Sequence, residues 1–264
     1  MNFLLSVGKG ILIGIGAVVP GISSGVLCVI FGIYEKLIDS VLGIFKDFKK
    51  NILFLLPIVL GAIIGFLLFG NILNYAFTNF EAECKLLFLG LILGSVPSLI
   101  KNTNSKNPFK LHYLIYTIFA FLLGLFLFLL ETKISNLSFI SNCNTIYLIF
   151  SGFVMSAGIV IPGVSSTILL MCFGIYDVYL QSLATLNLSI LIPIGLGCLV
   201  GGFIFLLLIR FLLKKHYAQT SYSIIGFVLG SIFVLIPNTF TFTSIILFFV
   251  GFIIAFKLEN FKNC

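Results

Sequence analysis

The chain alternates between long apolar segments and short polar stretches, and the apolar segments form two sets of four. In chain order they cover 10–33, 52–73, 86–100, 111–130, 146–175, 188–209, 223–236 and 242–256. The second segment of each set has the roughly 20 residues that a helix needs to cross a bilayer, whereas the third is short for a span. This pattern predicts an all-α polytopic membrane protein.

A motif in the first segment recurs in the fifth. The run Val19-Pro-Gly-Ile-Ser-Ser-Gly25, followed by Phe31-Gly-Ile-Tyr-Glu35, is matched 142 positions later by Ile161-Pro-Gly-Val-Ser-Ser-Thr167 and Phe173-Gly-Ile-Tyr-Asp177. Further residues match at an offset of 136, namely Asn51, Pro57, Gly61, Gly65, Gly90, Gly94 and Ser95 with Asn187, Pro193, Gly197, Gly201, Gly226, Gly230 and Ser231. The sequence therefore predicts two copies of one unit, about 1–135 and 140–264, within one membrane domain.

Composition supports a lipid environment. Apolar residues make up 60% of the chain and charged residues 9%, against roughly 25% charged residues in a soluble domain. This excludes cytosolic enzymes and nucleic-acid binders. The six cysteines have no metal-site spacing, and His112 and His216 have no acidic partner at a recognisable spacing. We expect no metal, no cofactor and no catalysis, and leave open whether Cys84 and Cys143 pair.

The positions of the basic residues predict the topology. If the interrupted first and fifth segments enter the membrane and return to the same side, each copy crosses three times and the copies are inverted. Thirteen of the fifteen basic residues then share one face, with only Lys85 and Lys133 on the other. The positive-inside rule makes that face cytoplasmic. We expect six spans, two re-entrant hairpins and both termini in the cytoplasm.

The turns of the two hairpins are the predicted anion site. A turn at membrane depth is tolerated only inside protein or beside a watery cavity, and the helix that follows it presents free N–H groups. Two such turns in inverted copies would converge near the midplane, as in inverted-repeat transporters. The predicted phosphate-binding residues are Gly21, Ser23, Ser24, Gly25, Gly163, Ser165, Ser166 and Thr167. The alternative is that the small residues only allow close helix packing.

Four charged residues are candidates for an auxiliary role. Glu35 and Asp177 could take part in proton or cation coupling, or could be solvated helix ends. Arg210 could hold a phosphate in a bidentate contact or anchor the topology as a snorkelling side chain. Lys9 is similarly open.

The paired turns, each followed by Phe-Gly-Ile-Tyr-[Glu/Asp], resemble the DUF368 family of bacterial polyprenyl-phosphate translocases over nearly the whole chain. The resemblance implies a protein of the bacterial cytoplasmic membrane that returns undecaprenyl phosphate from the outer to the inner leaflet for reuse in cell-wall and surface-glycan synthesis. Its partner would be this polyprenyl-phosphate lipid. One glycine of each family motif is replaced here, by Ser24 and Ser166.

Two other functions remain open at this point. The same turns could serve a secondary transporter of a small soluble anion, or the protein could be a membrane scaffold without transport. The sequence does not determine the driving ion or the oligomeric state.

Overall fold

The computed structural model describes residues 3–18, 24–134 and 144–260, which form twelve α-helices and no strand. In chain order these are α1 Phe3–Val18, α2 Ser24–Ile30, α3 Tyr34–Leu42, α4 Phe48–Asn79, α5 Glu81–Lys106, α6 Tyr113–Ile134, α7 Thr145–Val160, α8 Ser166–Cys172, α9 Tyr176–Thr185, α10 Leu188–Lys215, α11 Tyr217–Ser231 and α12 Phe242–Asn260. Helices α4, α5, α6 and α10 are long and apolar enough to cross a membrane. The predicted all-α polytopic membrane fold is confirmed.

The helices of the two halves follow the same order. In α1–α6 and again in α7–α12, one helix of 16 residues precedes two of at most ten, and three of at least 15 residues follow. The predicted boundary between the copies, at about 135–140, falls within 135–143, which lie outside the described residues. The division into two copies therefore stays a prediction from the sequence.

Glycines bring four pairs of helices into backbone contact. The facing positions are Gly10 with Ile58 and Gly14 with Ala62, Gly197 with Ile149 and Gly201 with Phe153, Gly90 with Phe248 and Gly94 with Phe252, and Gly226 with Thr117 and Gly230 with Phe121. In every pair, a contact four residues later on one helix is also four residues later on its partner. The two helices of each pair therefore run parallel, in α1/α4, α7/α10, α5/α12 and α6/α11. Small residues at four-residue spacing permit this close approach. Gly61, Gly65, Gly197 and Gly201 therefore serve helix packing.

Two of these pairs join the first half of the chain to the second. Helix α5 packs against α12, and α6 packs against α11. The halves therefore interlock and share one core, which contains residues of α2, α5, α7 and α11.

Polar contacts show which helix ends lie together. At one end of the bundle, Glu35 in the first turn of α3 lies beside Lys106 at the end of α5 and Tyr217 at the start of α11. We call this the basic end, because Lys214 and Lys215 also finish α10 there. At the other end, the Thr241 and Thr243 hydroxyls donate to Glu83 in the first turn of α5. We call this the Glu83 end.

Both interrupted segments fold back as hairpins. Helix α1 runs parallel to α4, which ends at the Glu83 end, so α1 starts at the basic end. The Lys9 Nζ donates to the Phe31 carbonyl at 3.4 Å, which places the end of α2 beside the first half of α1. Helix α7 runs parallel to α10 and so starts at the Glu83 end, where the Tyr147 hydroxyl donates to the Phe173 carbonyl at 2.7 Å. The hairpins enter from opposite ends, as the basic residues predicted.

Each Phe-Gly-Ile-Tyr motif ends the returning helix of its hairpin. The Ile33 N–H donates to the Cys28 carbonyl and the Gly32 N–H to the Val29 carbonyl. The Ile175 and Gly174 N–H groups repeat this pattern in the second half. This is the Schellman arrangement, which requires a left-handed residue, and Gly32 and Gly174 have φ of 61° and 62°. The glycine therefore ends α2 and α8 after seven residues each.

Two expectations need correction. The third segment of the first half, expected over 86–100, is part of a helix of 26 residues, Glu81–Lys106, because polar residues extend it at both ends. Its counterpart α11 has 15 residues and continues as a 3-10 turn over Ile232–Leu235. Most of α11 is buried in the bundle, so a short helix serves there. The short helices α3 and α9 were not predicted.

Candidate functional site

The second Pro-Gly turn is tightly held between two helices. Gly163 has a φ of +84°, which residues with a side chain rarely adopt. A Cβ added there would lie 2.6 Å from the Phe227 carbonyl group of α11. Gly163 is therefore required both by its own backbone conformation and by the approach of α11.

Hydroxyls and the first N–H groups of α8 lie just after this turn. Ser165 is the N-cap of α8, but its side chain makes no capping hydrogen bond. Its Oγ lies 2.6 Å from the Thr167 Oγ1, and both residues are half-buried, as is Ser166. The first N–H groups of a helix have no partner within the helix. The second turn thus brings three of the predicted site residues together beside backbone N–H groups that have no partner within their helix.

The first turn can be described only in part. Gly21 and Ser23 lie outside the described residues. Ser24 is half-buried and begins α2, and Gly25 is buried one residue later.

The two hairpins meet inside the protein. The Tyr34 hydroxyl, just after α2, donates to the Val160 carbonyl at 2.7 Å in a buried hydrogen bond. Val160 is the last residue of α7, where helix carbonyls have no partner within the helix. The Phe-Gly-Ile-Tyr motif of the first half therefore supplies a hydrogen-bond donor to a carbonyl at the end of the interrupted helix of the second half. The sequence pattern does not reveal this role of Tyr34, because nothing local relates residues 126 positions apart.

Glu35 belongs to a polar cluster at the basic end. Its carboxylate accepts from the Lys106 Nζ at 2.9 Å and from the Tyr217 hydroxyl at 2.9 Å. These three residues border a cavity of about 380 Å³ between α3, α5 and α11. Lys106 and Tyr217 were missed by sequence analysis, because their counterparts in the repeat are Phe242 and Glu81 and no motif contains them.

The other auxiliary candidates are placed apart from the turns. The Arg210 Nε lies 2.7 Å from the Asp39 Oδ1, an ion pair between α10 and α3, although the N–H is not directed as in a hydrogen bond. Lys9 holds the first hairpin at the Phe31 carbonyl. Asp177 is exposed and has no ion-pair partner among the described residues. Phosphate binding by Arg210 therefore has to compete with Asp39.

Within the described ranges, no three His, Cys, Asp or Glu side chains are grouped so that they could hold a metal ion. The Cys84 thiol is free, and Cys143 lies outside the described residues.

Comparison with known proteins identifies the family. Residues 13–247 match the undecaprenyl phosphate translocase-like family. The chain belongs to this family. It is 31% identical to the polyprenyl-phosphate transporter of Staphylococcus aureus (strain NCTC 8325) in an alignment of 274 positions that covers 96% of this chain and 95% of that protein. It is 25% identical over 247 residues to the polyprenyl-phosphate transporter of Vibrio cholerae (serotype O1), covering 88% and 77% of the two chains. No solved structure matches.

Proposed function

We propose that the protein transports polyprenyl phosphate, and specifically returns undecaprenyl phosphate from the outer to the inner leaflet of the bacterial cytoplasmic membrane for reuse in cell-wall and surface-glycan synthesis. The observation that carries the proposal is the pair of hairpins, which enter from opposite ends of the bundle and meet at the Tyr34–Val160 hydrogen bond. The names of the two relatives support the same substrate class.

The physical problem in this transport is the headgroup. A polyprenyl tail is soluble in lipid, so only the phosphate needs a polar route across about 30 Å of hydrocarbon. A fixed cation near the midplane would be costly. Backbone N–H groups and neutral hydroxyls at the turns offer donors without that cost. In this proposal Ser165, Ser166 and Thr167 bind the phosphate in the second hairpin, and Gly21, Ser23, Ser24 and Gly25 do so in the first.

The proposed orientation in the membrane rests on the charges. Lys36, Lys106, Lys214 and Lys215 all lie at the basic end. By the positive-inside rule that end is cytoplasmic, together with both termini. The second hairpin then opens towards the outer leaflet and the first towards the inner leaflet, which gives the phosphate one turn to reach from each side.

A leaflet-resolved assay tests the proposal. Labelled undecaprenyl phosphate is placed in proteoliposomes, and an impermeant reagent reports the fraction accessible from outside over time. We expect the purified protein to accelerate exchange over protein-free liposomes. Unchanged lipid movement would refute the proposed function, and uptake of inorganic phosphate in its place would favour the soluble-anion alternative.

Variants of the second turn test the site. Ser165→Ala and Thr167→Val each remove one hydroxyl and leave the backbone donors, so a partial loss of transport is expected. A hydrogen bond to a charged group contributes about 1.5–3 kcal/mol. Thr185→Ala, an exposed hydroxyl at the end of α9, is the matched control. If the double variant Ser165→Ala/Thr167→Val transports as the control does, these hydroxyls are not part of the phosphate site.

A further inference from the structure

The cavity at the basic end combines charged and apolar walls. Its volume is about 380 Å³, within the range of small-ligand sites. Lys36, Asn102 and Lys106 line its polar side, and Leu99 and Ile224 line its apolar side. A cavity of this kind suits a ligand with an anionic head and an apolar continuation.

A carboxylate of the protein already occupies two donors of this cavity. The two oxygens of Glu35 accept separately, one from the Lys106 ammonium and one from the Tyr217 hydroxyl, each at 2.9 Å. The Lys106 Nζ also lies 4.4 Å from the centre of the Tyr217 ring, so the two donors are held side by side. This is the donor arrangement that an oxyanion with two or more oxygens requires.

The ion pair is weak enough to exchange partners. The Lys106 and Glu35 side chains are 54% and 47% exposed, and ion pairs in water contribute little to stability. A phosphomonoester has three acceptor oxygens and a charge of about −1.5 to −2 at neutral pH, more than one carboxylate. It can therefore take the two donors from Glu35 at small cost.

We propose that this cavity is a second phosphate subsite, in which Lys106 and Tyr217 bind the phosphomonoester of the lipid and Glu35 competes with it for the same donors. The proposal rests on the function proposed above and adds the place where the headgroup is released at the basic end. Glu35 makes release possible, because it replaces the phosphate on Lys106 and Tyr217 as the lipid leaves.

Binding to the full-length protein in detergent tests this subsite. The probes are farnesyl phosphate, which has head and tail, and inorganic phosphate, which has the head alone; titration calorimetry gives both affinities. Lys106→Gln should weaken farnesyl phosphate binding about tenfold or more, because it removes a charged donor. Lys106→Arg should restore much of the affinity. Tyr217→Phe should weaken binding severalfold.

Whether Glu35→Gln tightens or weakens farnesyl phosphate binding decides between the proposal and a structural role for Glu35. Removing the competing charge should tighten farnesyl phosphate binding severalfold. It should also slow lipid transport, because no carboxylate then replaces the phosphate on Lys106 and Tyr217 as the lipid leaves. A role for Glu35 that is only structural predicts unchanged or weaker binding, and that result would overturn the proposal.

The matched control is Lys110→Gln, which removes one charge at the same end but does not line the cavity. If Lys110→Gln and Lys106→Gln weaken binding equally, the effect is general electrostatic attraction and the subsite is wrong. Equal affinity for farnesyl phosphate and inorganic phosphate would contradict the claim that the apolar side of the cavity contacts the lipid tail. Normal transport by the wild type together with unaltered binding in every variant would refute this subsite while leaving the proposed function intact.

Discussion

Glu35 and Asp177 end the two copies of one motif, and their side chains meet different neighbours. The backbone before them is the same in both copies, with a left-handed glycine that ends the returning helix. Glu35 then binds Lys106 and Tyr217, whereas Asp177 is exposed without an ion-pair partner among the described residues.

A second ion pair adds to this difference. Asp39 pairs with Arg210, while the repeat counterparts of these residues are the uncharged Gln181 and Asn74. In the described residues the two returning helices therefore end in the same way, whereas the charges distinguish the two ends of the bundle. Predictions that separate the copies are therefore the most informative.

The largest expected effect is all or none and concerns topology. In a background without native cysteines, Lys49→Cys and Lys214→Cys should both react with an impermeant thiol reagent only from the cytoplasmic side, because both lie at the basic end. Thr185→Cys, near the start of α10, should react only from the outside. Labelling of Lys49→Cys and Lys214→Cys from opposite sides would contradict the inverted arrangement.

Next in size is the effect of a side chain at the turns. Gly163→Val should lower the yield of folded protein and its thermal stability, since the new Cβ would lie 2.6 Å from Phe227 and overpacking alone costs about 1–3 kcal/mol. The repeat predicts a comparable effect of Gly21→Val. Gly195→Ala is the control, because a Cβ at Gly195 meets nothing within 4 Å. A tolerated Gly21→Val beside a damaging Gly163→Val would show that the two turns differ.

The hydrogen bond between the hairpins has an intermediate effect. Tyr34→Phe leaves the buried Val160 carbonyl without its donor, so the free energy of unfolding should fall by about 1–3 kcal/mol. Tyr176→Phe makes the same change in the second copy of the motif, and denaturation in detergent measures both variants. An unchanged free energy of unfolding in Tyr34→Phe would show that this hydrogen bond does not stabilise the contact between the hairpins. Unequal costs of the two variants would show that the two copies differ at this point.

The smallest effect is expected at the charges that occur in one copy. Asp39→Asn removes the partner of a partly exposed guanidinium and should cost about 1 kcal/mol or less of stability, and less still at high salt. Gln181→Ala, at the counterpart position, should change nothing measurable. A loss of several kcal/mol from Asp39→Asn would mean that this ion pair stabilises the fold rather than marking one end of it.

Much of the architecture could be predicted without coordinates. Apolar segments and low charge imply helices in lipid, and the distribution of lysines predicted that the interrupted segments return to the side they entered. Local chemistry also explains the glycines, because a left-handed C-cap and a backbone contact both exclude a side chain. What the pattern misjudged were helix ends: α5 continues through polar residues to Lys106, and α2 stops at Ile30 because of Gly32.

Which residues of the two halves meet depends on how the helices pack in three dimensions. Periodicity and composition report whether a residue is buried, and they carry no information about partners far along the chain. The contacts that define the candidate sites join residues 71, 126 and 182 positions apart, in Lys106–Glu35, Tyr34–Val160 and Tyr217–Glu35. These contacts exist because helices of one half pack against helices of the other, α5 against α12 and α6 against α11. This packing places the start of α3 beside the end of α5 and the start of α11. The two hairpins and the ends from which they enter therefore follow from the sequence. The polar cluster at the basic end follows from the packing of helices of one half against helices of the other, because that packing brings residues distant in the chain together.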